Sequence, residues 1–408
     1  MNGSATVREV GSDLVSRRST PPVDRRNDYF KNISIHPSNR GPKSVLLRHI
    51  GGNRVYAEQE MRAVDAVERT ERLLRGQSPW ITVVGDLGSG SLERLVDAEP
   101  GEMFVVKHAR FGPLAIGSIA YALAHLGTGN LTVVRGDVMG GVEKAEEIAR
   151  ALLTESETVN EVAGRGELTI VAAGICSKNG EIEAAKYIQK GTDGNREKWE
   201  LIVEKNHALA KLGVLNMPRK REAIILGCPD SREVPTLIFQ TPKIVSVRVA
   251  GNLPSQTTTG LFEEGAKMGI PLGAVMGHEE CGVYVETIKA VLRGEMGRGE
   301  TGVLTNKAMH PVLRTKPRGI GKGSKISKEQ HDEWLENAIR EGVIMGCWEI
   351  VGGSPLIHSL VESGKFAVVG YYHSLTTREV EVVWAMGMEI PTSGEIALAH
   401  EARSHGNL

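Results

Sequence analysis

The sequence of 408 residues has no apolar run approaching the roughly 18 residues that a membrane-spanning helix requires. It also has almost no net charge, because 49 lysines and arginines balance 50 aspartates and glutamates, which argues against a nucleic-acid-binding surface made by net charge. No charged segment followed by an apolar core opens the chain, so no secretory signal is predicted. We expect a cytoplasmic protein with no membrane or nucleic-acid partner, an organelle or a microcompartment being left open.

Cysteine is scarce as well, and the four cysteines are Cys176, Cys228, Cys281 and Cys347. In a large chain without a predicted secretory signal, a disulfide framework is the weaker interpretation, and metal binding or catalysis gains weight. Cys176 and Cys347 have no ligand-like neighbours in the sequence, and we interpret them as structural residues. The spacing around the other two cysteines suggests a different role.

Short apolar runs typical of buried parallel strands recur along the chain, and helical stretches such as 115–126 and 142–153 separate most of them. A helical pattern also covers 56–74. Buried strands that alternate with helices predict an α/β fold with a mostly parallel sheet. The predicted strands are 81–84, 103–106, 131–134, 168–172, 223–226, 244–247, 272–276 and 366–371.

The order of these runs indicates an internal repeat. Gly85-Asp86 corresponds to Gly227-Cys228, and the run at 131–136 corresponds to the run at 272–277. The second copy carries an extra segment after Cys281, and the part at 297–328 is rich in Gly, Lys and Arg, which predicts a surface loop. The alternative is two unrelated α/β domains whose strands coincide by chance.

Candidate metal ligands follow two of the predicted strands. The strand at 223–227 ends in Cys228, and fifty residues later another strand ends in His278, with Cys281 three positions further on. Ligands at the carboxyl ends of neighbouring parallel strands converge on one crevice. Two thiolates and one imidazole suit zinc, and three protein ligands leave a fourth position for water or substrate.

Cys228-x-Asp230-Ser231-Arg232 and His278-x-x-Cys281-Gly282 resemble the two signature motifs of the β-class carbonic anhydrases. The resemblance covers most of residues 195–385 and, more weakly, 55–190. It implies a tandem fusion of two domains, each with a mostly parallel sheet of four to five strands flanked by helices. The two domains would pack as a pseudo-dimer, as expected from the fusion of a dimer.

The resemblance implies that Cys228, His278 and Cys281 hold one zinc ion per chain. Asp230 would be a fourth ligand in a resting form, or would accept a hydrogen bond from zinc-bound hydroxide, with Arg232 paired to it. The implied reaction is reversible hydration of carbon dioxide to bicarbonate and a proton. The alternative for Asp230 and Arg232 is a buried salt bridge that only caps a strand end.

The first copy has lost the ligands. Asp86, Asp137 and Gly140 stand at the ligand positions, and Gly88 and Gly90 replace the Asp-Arg pair. Glycine offers no side-chain ligand, and two separated aspartates do not make a zinc-thiolate site. The first copy is therefore predicted to be free of metal.

The first copy has nevertheless kept the other side of the pocket. In the family the active site lies at a dimer interface, where the opposing subunit supplies a glutamine and two aromatic residues. Gln77, nine residues before Asp86, and Phe104 and Tyr121 stand at these positions, whereas the second copy has Arg219, Val245 and Glu264. We therefore expect one composite site per chain, with a substrate pocket of Gln77, Phe104, Tyr121 and Gly282. The alternative is that Phe104 and Tyr121 are ordinary core residues.

We predict an extended or mobile arm at 1–50, a metal-free domain at 51–192, a zinc-binding catalytic domain at 193–390 and a C-terminal tail at 391–408. The expected substrate is carbon dioxide or bicarbonate, and a homo-oligomer of chains, a dimer of pseudo-dimers, is a further expectation. Two alternative functions stay open. One is hydrolysis of carbon disulfide or carbonyl sulfide on the same scaffold, and the other is a non-catalytic module that zinc only stabilises.

Overall fold

The eight apolar runs of the sequence are strands, and two further strands join them in one ten-stranded sheet within the described part of the chain. The computed structural model describes residues 41–63, 66–86, 92–95, 99–108, 111–136, 141–176, 181–211 and 220–404. The strands are β1 (Ile81–Gly85), β2 (Met103–Lys107), β3 (Asn130–Gly136), β4 (Thr169–Ile175), β5 (Ile182–Gln189), β6 (Ala223–Gly227), β7 (Ile244–Arg248), β8 (Leu272–His278), β9 (Ala367–His373) and β10 (Val380–Met386).

The strand order repeats from the middle of the sheet outward. The order is β10-β9-β8-β6-β7-β2-β1-β3-β4-β5, so each half runs second, first, third, fourth and fifth strand from the centre to its edge. The first four strands of each half are parallel to one another, and the fifth is antiparallel to the fourth. This confirms the predicted α/β class with a mostly parallel sheet in each half.

The two halves meet where β2 and β7 pair antiparallel. The register of this pair is defined by a single position, at which Lys107 lies opposite Arg248. Just beyond it, the Val105 amide donates a 2.8 Å hydrogen bond to the Pro229 carbonyl. The halves therefore share one sheet, and residues 40–408 form one compact unit.

Helices cover both faces of the sheet, as the buried strands require, since a parallel sheet is stable only when both of its faces are packed. Their bounds are α1 (Pro42–Arg62), α2 (Ala66–Leu74), α3 (Leu92–Leu95), α4 (Pro113–His125), α5 (Gly141–Glu155), α6 (Glu157–Gly164), α7 (Asp193–Lys211), α8 (Pro235–Ile238), α9 (Gln256–Lys267), α10 (Gly282–Arg293), α11 (Gly299–Arg314), α12 (Lys328–Gly352), α13 (Pro355–Glu362) and α14 (Ser393–Ser404).

One hydrophobic core runs beneath both halves on one face of the sheet. It joins Val84 and Phe104 of the first half to Leu226 and Val247 of the second, with side chains of α4, α5, α10, α11 and α12 packed on it. On the opposite face, each half has its own smaller core, one beneath α7 and the other beneath α1. On this face of the sheet, the two halves therefore share one hydrophobic core.

The segment at 297–328 is only in part the surface loop predicted from its composition. Residues 315–327 contain no helix or strand, but the preceding half of the segment is the helix α11, whose buried residues Leu304, Ala308 and Val312 recur every fourth position. Such spacing places all three on one face, which packs on α4, α10 and α12. The prediction was wrong for α11 because its glycines and charged residues obscured this periodicity.

The predicted arm and tail also need correction. Residues 42–50 of the predicted arm lie in α1, where Val45, Leu46 and Leu47 are buried, and α1 rather than residue 56 begins the helical region. Helix α14 occupies most of the predicted tail and packs against α1. The apolar cluster at 45–50 is short, so the polar composition of residues 1–41 concealed it. Residues 1–40 and 405–408 lie outside the described residues.

Within the described ranges, no single helix combines the length and hydropathy of a membrane span. Helices α12 and α13 pass that test only when taken together, across a bend of 100°.

Candidate active site

The three predicted metal ligands come together at the carboxyl ends of two strands. Cys228 directly follows β6, His278 is the last residue of β8, and Cys281 is the N-cap of α10. Their ligand atoms all lie within 4.8 Å of one another, and all three residues are buried. All four cysteines are free thiols, and Cys347 is buried elsewhere in the core.

The ring of His278 is oriented for metal binding. Its Nδ1 lies 2.8 Å from the carbonyl oxygen of Glu279, to which it donates, because a carbonyl can only accept. Its Nε2 is buried and has no hydrogen-bond partner among the described residues. This arrangement leaves the Nε2 lone pair available to a metal, since the bond at one nitrogen fixes the tautomer at the other.

Glu279 in turn is held by the loop that follows β9. Its carboxylate accepts hydrogen bonds of 2.9 Å from the Ser374 hydroxyl, the Thr376 amide and the Thr376 hydroxyl. Glu279 is therefore a structural neighbour of the site rather than the freely solvated residue that its position in the sequence suggests.

The two thiols are in a setting that favours a bound cation. Burial and the neighbouring Cys281 raise the pKa of the Cys228 thiol well above its ordinary value, with His278 acting in the opposite direction. A divalent cation favours the deprotonated thiolate and so reverses this balance. The donor set of two sulfurs and one imidazole nitrogen therefore fits zinc.

Asp230 is turned toward Arg232. Its Oδ1 accepts hydrogen bonds from the backbone amide and Nε of Arg232, at 2.9 and 3.0 Å, and its Oδ2 accepts from Nη2 at 2.6 Å. Both side chains are almost fully buried. Burial would raise the pKa of Asp230, but Arg232 and His278 outweigh it and lower that pKa below its usual value. The carboxylate is therefore ionised and fixed in orientation.

Arg232 is itself anchored across the boundary between the halves. Its Nη1 donates a 2.8 Å hydrogen bond to the carbonyl of Leu73, at the end of α2. The neighbouring Ser231 hydroxyl accepts hydrogen bonds from the Gly101 and Met103 amides, at 2.8 and 3.2 Å. The loop after β6 is thus bonded to the first half at two successive residues.

Two buried residues that the sequence analysis did not single out support the same loop. Arg248 donates hydrogen bonds of 2.7–2.8 Å to the carbonyls of Cys228, Asp230 and Glu233, and it forms an ion pair with Glu93 of the first half. Glu233 accepts a 2.8 Å hydrogen bond from the Cys228 amide. An arginine at the end of an otherwise apolar strand was the available sequence signal for Arg248.

The three first-half residues predicted to face the metal lie beside Gly282 and Asp230, which are close in sequence to the candidate ligands. A Cβ added to Gly282 would overlap the Tyr121 hydroxyl and would lie 3.9 Å from Gln77 Nε2. Phe104 forms an isolated antiparallel bridge with Asp230, and its ring lies 6.2 Å from that of Tyr121. Glycine at 282 therefore permits the close approach of the two halves.

The surroundings of Tyr121 and Gln77 determine the protonation of the tyrosine and the hydrogen bonding of the glutamine. Burial, followed by Cys281 and Cys228, raises the pKa of Tyr121, so its hydroxyl remains protonated. The Oε1 atom of Gln77 is buried, and no residue in the described part of the chain forms a hydrogen bond with it. The exposed His125 stacks on Tyr121 with ring centroids 5.0 Å apart.

The two halves differ at the positions that correspond to these site residues. Asp86, at the end of β1, forms a 3.0 Å ion pair with Arg135 of β3. Glu264, which corresponds to Tyr121, is exposed and pairs with Lys267, and Val245 is partly buried. The other equivalents named from the sequence lie outside the described residues: Gly88, Gly90, Asp137, Gly140 and Arg219.

Among the described residues this cluster consists of two cysteines and one histidine without a fourth candidate ligand, which fits the three protein ligands typical of a catalytic zinc site. The carbonic anhydrase family model matches residues 223–380, which contain all three ligands together with Asp230 and Arg232. Through this region the chain is similar to the carbonic anhydrases, a family of lyases. The family match does not extend into the first half.

Two mycobacterial carbonic anhydrases and one solved structure illustrate the similarity. A carbonic anhydrase of Mycolicibacterium smegmatis is 24% identical over 147 residues, which span 34% of this chain and 71% of the relative. Carbonic anhydrase 2 of Mycobacterium tuberculosis is 26% identical over 160 residues, 38% of this chain and 72% of the relative. Among solved structures, a Coccomyxa β-carbonic anhydrase has a TM-score of 0.34 at 18% identity, over 47% of this chain and 83% of its own.

Proposed function

We propose that this chain catalyses the reversible hydration of carbon dioxide to bicarbonate and a proton, in one composite site per chain. The second half contributes the metal ligands, and the metal-free first half contributes the facing wall. The observation that carries this proposal is that Tyr121 and Gln77 occupy the space in which a side chain of residue 282, directly after Cys281, would lie.

Cys228 Sγ, His278 Nε2 and Cys281 Sγ are the atoms that would hold the zinc ion. When bound, zinc lowers the pKa of water to about 7 and so supplies hydroxide at neutral pH. The remaining chemistry depends on how the protein orients the nucleophile and the gas.

Asp230 is suited to orient the nucleophile. Three N–H groups of Arg232, the backbone amide, Nε and Nη2, bond to the two carboxylate oxygens, with Nε shared between them, so one of the roughly four lone pairs can still accept a hydrogen bond from the nucleophile. Such a hydrogen bond fixes which lone pair of the nucleophile faces the carbon of the substrate. In this role Asp230 is an acceptor, and Arg232 keeps it from becoming a fourth metal ligand.

The first half is suited to receive a small apolar gas. The rings of Phe104 and Tyr121 provide apolar surface that excludes water, which a nonpolar substrate favours. The Gln77 side chain has an amide that can donate a hydrogen bond to an oxygen of carbon dioxide or bicarbonate. These three side chains would therefore bind and orient the substrate rather than take part in bond formation.

The decisive experiment measures zinc content per chain alongside the rate of carbon dioxide hydration by stopped flow. We expect one zinc per chain and a rate that a chelator abolishes and added zinc restores. Parallel assays with carbonyl sulfide and carbon disulfide separate the proposed substrate from its sulfur analogues. Bound zinc without turnover of any of the three gases would instead support a non-catalytic module.

We also propose that chains associate as a homo-oligomer. The edge strand β10 supports this, because its side chains from Val382 to Met386 are only half-buried in a single chain. Sedimentation equilibrium of the purified protein measures the number of chains, and a strictly monomeric protein would contradict the proposal.

A further inference from the structure

Helix α11 joins the two halves on the face of the sheet that carries the shared core. Between its third and fourth strands, the first half has α5 and α6 among its described residues, whereas the second half has α10, α11, α12 and α13. Of these, α11 crosses over and packs along α4 of the first half. The contact therefore links a segment particular to the second half with the helix that carries Tyr121.

The approach of α11 to α4 is close enough to require glycine. A Cβ added to Gly117 would lie 2.7 Å from the Glu300 carbonyl oxygen and 3.4 Å from Leu304 Cγ. Tyr121 follows Gly117 by four residues, one turn further along α4, so both lie on the same side of the helix. Any outward movement of α4 from α11 would also displace the Tyr121 side chain.

Glu300 adds a polar anchor beside this contact. Its carboxylate accepts hydrogen bonds from the Ser156 hydroxyl and the Glu157 amide, both at 3.0 Å, and from the Thr158 amide at 3.2 Å. These donors form the N-terminus of α6, where the helix dipole favours a negative charge. Ser156 itself caps α6 through the Val159 amide, so Glu300 completes the cap from the other half of the chain.

On its other side, α4 is tied to the loop that follows β7. The Ser118 hydroxyl accepts a 3.0 Å hydrogen bond from the Ala250 amide. Helices α4, α10 and α11 also enclose a cavity of about 640 Å³, which Tyr121, Val283 and Leu304 help to line. Helix α11 thus forms one wall of the space next to the proposed substrate pocket.

We infer that α11 is a clasp between the halves and that Glu300 is a positioning residue, holding α4 so that Tyr121 stays against Gly282. The junction of β2 and β7 is paired at one position only, which leaves the angle between the halves to contacts such as this one. The inference rests on the proposed function for its kinetic consequence, because misplacing a pocket residue by about 1 Å can cost 10²-fold in rate.

The test compares Glu300→Ala and Glu300→Gln with a matched control on the same helix, Lys307→Ala. Lys307 also lies on α11, but its side chain forms an ion pair with Glu349 of the second half, at 2.7 Å, rather than joining the two halves. Amide hydrogen exchange of α4 and α6, zinc content, and separate kcat and KM values are measured on the full chain.

We expect Glu300→Ala to speed exchange in both helices and to lower kcat/KM about tenfold, a loss worth about 1.4 kcal/mol, with zinc content unchanged. Glu300→Gln keeps one acceptor oxygen and should show a smaller effect, and Lys307→Ala should show none. Should Glu300→Ala fail to fold, Gly117→Ala replaces it, because the added methyl group pushes α4 away from α11.

Unchanged exchange in α4 and α6 would overturn the clasp. Faster exchange with full kcat/KM would overturn the positioning role, provided that Tyr121→Phe itself lowers kcat/KM. If neither Tyr121→Phe nor Gln77→Ala affects kcat/KM, the composite site is wrong, and the exchange measurement still decides whether Glu300 joins the halves.

Discussion

The two halves of this chain have the same strand order and differ at the ends of their strands. At the end of β1, Asp86 pairs with Arg135 and is partly exposed, whereas at the end of β6 the buried Cys228 lies beside His278 and Cys281. An ion pair neutralises its own charge, while two buried thiols become ligands only when a cation is present. Because apolar strands make the sheet, ligands at strand ends can be lost without loss of the fold.

At the positions of Tyr121 and Glu264 it is the first half, not the second, that contributes a side chain to the candidate site. The first half presents Tyr121 to Gly282, whereas Glu264 at the corresponding position of the second half is an exposed surface residue. At corresponding positions, each half therefore presents side chains that the other does not. The following predictions rank the contributions of the two halves by the size of the expected effect.

The largest effect is expected from Cys228→Ala, which removes a ligand of the metal half. We expect zinc to be lost and kcat/KM to fall by about 10³-fold or more, equivalent to about 4 kcal/mol of transition-state stabilisation. Zinc analysis and stopped-flow hydration measure the two quantities. Cys347→Ala is the matched control, since this buried cysteine lies outside the ligand cluster, and full turnover of Cys228→Ala would falsify the metal assignment.

At the junction of the halves, Lys107→Met should change how stability depends on pH. Burial lowers the pKa of Lys107 to about 8, an effect that Asp86 partly opposes. Between about pH 8 and pH 10.5, Lys107 is protonated to a greater extent in the unfolded chain than in the folded one. The free energy of unfolding therefore rises with pH over this range.

We expect Lys107→Met to remove about 3 kcal/mol of this rise in the free energy of unfolding, measured by denaturant titration from pH 7 to pH 11. The exposed Lys190, changed to Met, serves as the control. An identical pH dependence in the Lys107→Met variant and the wild type would show that Lys107 is not a buried cation of the junction.

Arg232→Lys tests the orienting pair of the metal half. Lysine keeps the charge but lacks the planar fork that holds both oxygens of Asp230. We expect zinc to remain bound and kcat/KM to fall about 10- to 100-fold, as for other residues that orient a metal site. A variant that keeps wild-type kcat/KM would reduce the pair to a structural salt bridge.

The smallest effects are expected from the facing half. Gln77→Ala and Tyr121→Phe should each lower kcat/KM about tenfold, as the loss of one neutral hydrogen bond of about 1.4 kcal/mol would, while zinc content stays unchanged. Glu264→Gln, at the position that corresponds to Tyr121, is the matched control. Equal kinetics in all three variants would mean that the first half only stabilises the fold.

Much of this fold could be predicted from the sequence because its strands are buried on both faces and so appear as continuous apolar runs. The edge strands β5 and β10 were not predicted as strands, since their side chains are largely exposed or half-buried and form no such run. Helix α11 was missed because its glycines and charges concealed a buried residue at every fourth position.

The candidate site divides in the same way. Cys228, His278 and Cys281 could be predicted because each stands at or near the end of a recognisable strand. Arg248 and Glu233 could not, since their role depends on which carbonyl and amide groups they meet after folding. Their hydrogen bonds connect positions that the spacing of the sequence does not relate.

By itself, the sequence determined the identity of the candidate metal ligands and the strands that carry them, because residue chemistry and apolar periodicity are local properties. Only the tertiary structure decided that the Asp230 carboxylate bonds to Arg232, that Tyr121 lies against Gly282 and that α11 packs on α4. These are contacts between residues far apart in the chain, and the packing of one half against the other fixes their distances.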